Sequence, residues 1–130
     1  MIEPRWLSVV HILAIHSDQI QAHGGSLGLR DRGLLESGLE RPRNRLHYDP
    51  DADLPALAAA YGFGLANNHP FVDGNKRVAF QAMYLFLGLN GFRIEAPEEE
   101  VVATILSLAS GGLDEPGLAA WLRDHISPRK

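Results

Sequence analysis

Hydrophobic positions along this chain recur at intervals of three and four almost throughout, the spacing of one face of an α-helix. Trp6, Val9, Val10, Leu13, Ser17 and Ile20 trace a first helix that closes near His23-Gly24-Gly25. Asp31 is placed to cap a short second helix over Arg32–Leu39, and Pro42 is expected to stop it. Residues 42–53, with Pro42, Pro50, Asn44 and several aspartates, read as a loop. A third helix starts near Leu54-Pro55 and runs on Leu57, Ala58, Tyr61 and Leu65 towards Asn67. After a polar stretch, Val78–Leu87 reads as a buried helix ending at Asn90-Gly91. Two more helices follow. One covers Glu98–Ser110, with Pro97 near its first turn and Gly111-Gly112 closing it. The other runs from Gly117 to about Ile126, with Leu118, Trp121, Leu122 and His125 on one side. Only Gly91-Phe92-Arg93-Ile94 reads as extended, and it is too brief to found a sheet. The expected class is all-α: one compact domain over residues 1–130, with a central buried helix after the polar stretch.

Composition narrows the function classes. A chain of 130 residues with 45% hydrophobic and 22% charged positions has enough apolar surface for one core and is unlike a disordered segment. Without cysteine it has no disulfide, thiol nucleophile or thiolate metal site. No apolar run is long enough to span a bilayer, and Met1-Ile2-Glu3-Pro4 does not open a secretory signal, so the expected location is the cytoplasm, away from the membrane. A net charge of −4 argues against direct nucleic-acid binding through phosphate neutralisation. The cations are unevenly chosen, ten arginines against two lysines, so a lysine at position 76 stands out.

That lysine belongs to the chemically densest stretch, Asn68-His69-Pro70-Phe71-Val72-Asp73-Gly74-Asn75-Lys76-Arg77. It sits where the first N–H groups of the following helix have no intrahelical partner, a position that favours anions and phosphate in particular. Histidine is the commonest general base, which makes His69 a candidate to deprotonate a hydroxyl; Pro70 biases it to an extended backbone. Phe71 is expected to plug the core. Asp73 is a hard oxygen ligand suited to magnesium, or a helix cap. Gly74 allows close backbone approach or positive φ. Asn75 is able to cap the helix or hold a phosphate or sugar oxygen. Arg77 offers a fork for phosphate oxygens and Lys76 a point charge.

His-Pro-Phe-Val-Asp-Gly-Asn-Lys-Arg resembles the signature of Fic-domain proteins, His-x-Phe-x-Asp/Glu-Gly-Asn-x-Arg. It is more specifically similar to the Doc (death-on-curing) branch, where lysine replaces the second glycine of the usual Gly-Asn-Gly-Arg. Ile15-His16, Gly24-Gly25, Gly28-Leu29-Arg30-Asp31, Gly33–Ser37 and Phe86–Phe92 extend the resemblance to about residue 94. It implies that His69 activates a target serine or threonine and that Asp73 holds Mg2+ on the phosphates. Gly74, Asn75, Lys76 and Arg77 would line the anion cradle. It further implies a toxin that places the γ-phosphate of ATP towards the histidine, with Lys76 filling and charging the space a glycine leaves open, and that phosphorylates a threonine of elongation factor Tu to arrest translation. The wider family adenylylates its targets, and a catalytically silent binding module is the non-enzymatic alternative. No Ser or Thr is followed four residues later by Glu, so the family's self-inhibiting helix is absent and a separate Phd-like antitoxin is implied.

Other features read as structural. Gly24–Gly28 does not match a P-loop and reads as helix cap plus turn. His11 and His16 are about 140° apart on a helix, and His16 and His23 about 10 Å apart, so neither pair shares a metal. Arg41, Arg43 and Arg45 read as a solvated loop, with contact to the target or an acidic antitoxin segment as the sharper alternative. Glu98-Glu99-Glu100 complements a helix dipole.

Overall fold

The computed structural model describes residues 3–129. Among these residues six helices appear in chain order: α1 (Val9–His23), α2 (Arg32–Tyr48), α3 (Leu54–Asn68), α4 (Asn75–Leu89), α5 (Glu98–Ser110) and α6 (Glu115–His125). Two short strands, β1 (Phe92–Ile94) and β2 (Ile126–Pro128), complete the order.

The helix buried on every side is α3. Its small residues, Ala56, Ala58, Ala59, Ala60 and Ala66, are buried together with Leu57, Tyr61 and Leu65. Gly62 and Gly64 let its neighbours come close: a methyl on Gly62 would run into the Met83 thioether of α4, and one on Gly64 would lie 3.4 Å from Gly38 Cα of α2. Packed against it, α4 buries one face through Val78, Ala79, Ala82, Met83, Phe86 and Leu87. Tyr61 reaches past Phe86, and its hydroxyl accepts the Leu7 N–H at 2.9 Å. Burial pushes that phenol up to about 12.

Four expectations are corrected. In α1 the buried residues are Ile12, His16 and Ile20, every fourth position, whereas Val10 and Leu13 are exposed. Ser8 and His11 form a capping box that starts this helix. Pro42 does not stop α2, which continues to Tyr48. The proline removes one backbone bond, but Leu35, Leu39, Pro42 and Leu46 recur at helical spacing in or against the core, and that packing outweighs the loss. The Phe92–Ile94 segment does find a partner: it pairs antiparallel with Ile126–Pro128, so α6 ends at His125. Gly117 is not the start of α6, which begins at Glu115 after the Asp114 cap.

Asp53 joins two parts of the fold. Its carboxylate accepts the Ala56 N–H at 3.0 Å as the N-cap of α3, and takes both arms of Arg123 from α6 at 2.7 and 2.9 Å. The Arg123 hydrogen bonds hold its carboxyl below the usual range. A folded-state value below the unfolded one, about 3.9, gives stability that is present above that pH and lost as pH falls through the folded value. Asp53→Ala is expected to lose about 1 kcal/mol near neutrality, mainly as a lost cap. Urea unfolding should show the gap from the parent narrowing in acid; a gap independent of pH would contradict this linkage.

Candidate active site

The polar stretch forms the reversal between α3 and α4, and its first residue of interest breaks an expectation. His69 is the one non-glycine with positive φ among the described residues, at φ 49° and ψ 57°, not the extended backbone that Pro70 favours. A left-handed residue with a Cβ costs about 1–2 kcal/mol, so the surroundings must impose it. They do so through the segment before α2. Arg30 donates from Nε to the His69 carbonyl at 2.7 Å and from Nη2 to the Asn68 carbonyl at 2.9 Å. The N–H groups of Arg30 and Asp31 both donate to the Pro70 carbonyl, at 2.7 and 3.0 Å. Leu29 forms an isolated bridge with Phe71, and the Val72 N–H donates to Gly28 O at 3.0 Å.

Phe71 fills the core as expected, 1% exposed. Its partner is a residue that sequence reasoning left aside: the His16 ring lies 3.9 Å away and 7° from parallel. His16 Nε2 donates to the Asp73 carbonyl at 2.9 Å. Buried between α1 and the turn, it holds the loop on which the candidate residues sit. Its spacing of four from Ile12 and from Ile20 is the signal that could have revealed it.

Asn75 spends both ends of its amide on Phe71: Oδ1 accepts the Phe71 N–H at 3.0 Å and Nδ2 donates to the Phe71 carbonyl at 2.9 Å. Its side chain therefore pins the turn. Gly74 is the N-cap of α4, at φ 80°, and no side chain caps that end. A Cβ there would lie 3.3 Å from Ile20 Cδ1, so the position needs glycine for both conformation and space. Beyond it, the N–H groups of Asn75, Lys76 and Arg77 have no acceptor among the described residues, and Lys76 and Arg77 make no ion pair there. Free donors, the positive end of the helix dipole and two cations thus converge on one spot.

Asp73 is exposed, and its Oδ1 accepts the Gly74 N–H at 2.8 Å. The glycine loop after α1 closes over it: Ser26 N lies 3.4 Å from Oδ2, and a Cβ on Gly25 would come within 2.7 Å of that oxygen. No group of three His, Asp or Glu gathers for a metal among the described residues. A lone carboxylate with open lone pairs suits a hard cation that takes its remaining ligands from phosphates and water, as magnesium does.

His69, Asp73, Gly74, Asn75, Lys76 and Arg77 all line one cleft of about 590 Å³. Its opposite wall comes from α5, through Glu98, Val101, Val102, Ile105 and Leu106, with Phe80 and Gln81 of α4 and Gln19 and His23 of α1 between. The α5 wall was not foreseen, because only the tertiary fold brings it across from the motif. Arg41, Arg43 and Arg45 lie elsewhere. Arg41 and Arg45 pair with Glu115 at 2.6 and 3.6 Å, and Arg43 lies over the Trp6 ring at 5.1 Å. The cleft thus brings unpartnered N–H donors and two cationic side chains together with the His69 imidazole and an apolar wall.

Residues 6–87 match the model of the Fic/DOC family, which is more than half the chain. The chain belongs to this family, as a member of its Doc branch. It is 32% identical over 120 residues to the protein kinase doc of Escherichia phage P1, covering 92% of this chain and 94% of that protein. To the toxin Doc of Mycolicibacterium smegmatis it is 46% identical over 78 residues, 58% of each chain. A solved structure, the ADP-bound N-terminal Fic domain of a cell filamentation protein (a VirB-translocated Bep effector) from Bartonella quintana, is 20% identical with a TM-score of 0.46. That match covers 73% of this chain and 48% of the other.

The role given to His16 is open to a direct check. His16→Phe keeps a ring on Phe71 but leaves the Asp73 carbonyl without its donor, and should cost about 1–3 kcal/mol in thermal or urea unfolding. A variant as stable as the parent would contradict it.

Proposed function

We propose that this chain is the toxin of a toxin–antitoxin pair and a protein serine/threonine kinase. It would transfer the γ-phosphate of ATP to a hydroxyl of a target protein, elongation factor Tu, and so arrest translation. The observation that carries this reading is the convergence in one cleft of His69, Lys76, Arg77 and the open N–H groups of α4. It occurs in a chain alignable over nearly its whole length with a protein named as a kinase.

Each part has a physical task. The N–H groups of Asn75, Lys76 and Arg77 receive phosphate oxygens without rearranging, because they are already aimed and unpartnered. The Arg77 guanidinium grips two oxygens at once, and the Lys76 ammonium adds a compact charge that a glycine at this position would lack. Phe80, Val101 and Ile105 offer the nucleoside base an apolar surface. Magnesium, held by Asp73, would offset the charge on the phosphates. His69 accepts the proton of the target hydroxyl as its oxygen attacks the γ-phosphorus, and ADP departs. The antitoxin is Phd-like in this reading, laying a helix over exposed Val102 and Leu106 beside the cleft. The pair would act in the cytoplasm.

Purified chain incubated with magnesium, elongation factor Tu and ATP labelled at either the α- or the γ-position tests the proposal. Transfer of the γ-label alone is expected, and His69→Ala should reduce it at least about 100-fold. Transfer of the α-label would make the protein an adenylyltransferase. Nucleotide binding with neither label transferred would make it a binding module.

A further inference from the structure

We infer that Arg30 is a positioning residue for His69, acting through the backbone and not through substrate. The inference rests on the reading of His69 as the base. Three successive carbonyls at the end of α3, those of Asn68, His69 and Pro70, are all taken by two residues of one segment, Arg30 and Asp31. The fork of the guanidinium spans the first two, and two consecutive N–H groups close on the third. Carbonyls at a helix C-terminus carry the negative end of the dipole and lack intrahelical donors, so a planar cation is well matched to them.

The clamp coincides with the one strained residue of the turn. His69 has a Cβ, precedes a proline and yet adopts positive φ. Fixing the carbonyls on both sides of its Cα leaves the peptide planes at Asn68–His69 and His69–Pro70 little freedom to rotate, which is what a left-handed residue needs to persist. Released from it, the backbone of His69 relaxes towards the extended region that Pro70 favours, and the imidazole swings with it. Lysine at position 30 would keep the charge but reach one carbonyl at a time.

The test reads conformation and turnover separately. In NMR spectra of the full chain, a residue with positive φ gives a strong intraresidue amide–Hα NOE that an extended residue lacks. His69 should show it in the parent and lose it in Arg30→Ala. Arg30→Lys should retain part of it, and serves as the decisive variant if Arg30→Ala does not fold. In the phosphotransfer assay, kcat should fall about 10- to 100-fold in Arg30→Ala, as for a misplaced catalytic group. KM for ATP should stay within about twofold, since no phosphate contact is lost. Arg30→Lys should fall between the two. A His69 signature unchanged in the variants overturns the clamp, and so does a lost signature with kcat unaltered. If the parent itself transfers no phosphate, the kinase reading fails, while the NOE comparison still decides whether Arg30 sets the His69 backbone.

Discussion

The structure turns on one constraint: the chain must reverse between two closely packed helices, α3 and α4, within the six residues from His69 to Gly74. Such a reversal exposes the carbonyls that end one helix and the N–H groups that begin the next. The two sets are treated in opposite ways. At the end of α3, Arg30 and Asp31 satisfy the carbonyls from outside. At the start of α4, the cap is Gly74, which has no side chain to offer, and the amides stay open. The asymmetry leaves a donor-rich pole facing the cleft beside a rigidly held histidine.

Much of the remaining architecture supports that turn. α1 sends His16 under it, stacked on Phe71 and bonded to the Asp73 carbonyl. Asn75 folds back onto the Phe71 backbone, so this residue is held by its ring through His16 and by its main chain through Asn75. The segment from Gly24 to Asp31 runs along the outer edge, meeting Asp73, Val72 and Pro70 in turn. The small residues of α3 allow α2 and α4 to approach, which fixes where both ends of the turn must lie. α5 then closes the cleft, tied to α6 by Glu100, whose carboxylate meets His125 at 2.8 Å and Trp121 at 3.3 Å.

Helix existence was legible from apolar spacing, and which residues meet in the cleft from the chemistry packed between Asn68 and Arg77. Places where tertiary contacts override local preference were not. Pro42 argues locally for a helix end, yet the core on either side of it carries α2 through. Pro70 argues for an extended His69, yet a clamp from nearly forty residues away sets positive φ. Phe92–Ile94 looked unpaired because its partner strand lies at the far end of the chain. The same limit applied to His16, whose role depends on a residue 57 positions later. Asn75 shows the converse: an amide that suits a ligand by type is engaged by its own loop.

The central claim is that the turn is built before any nucleotide or partner arrives. Amide hydrogen exchange of Phe71 and Val72 in the free protein tests it most directly, since their N–H groups are bonded to Asn75 Oδ1 and Gly28 O. A preformed turn predicts that both exchange slowly, with opening free energies close to that of global unfolding. Rapid exchange that becomes slow only on adding nucleotide would contradict it, and would make the site one that its ligand assembles.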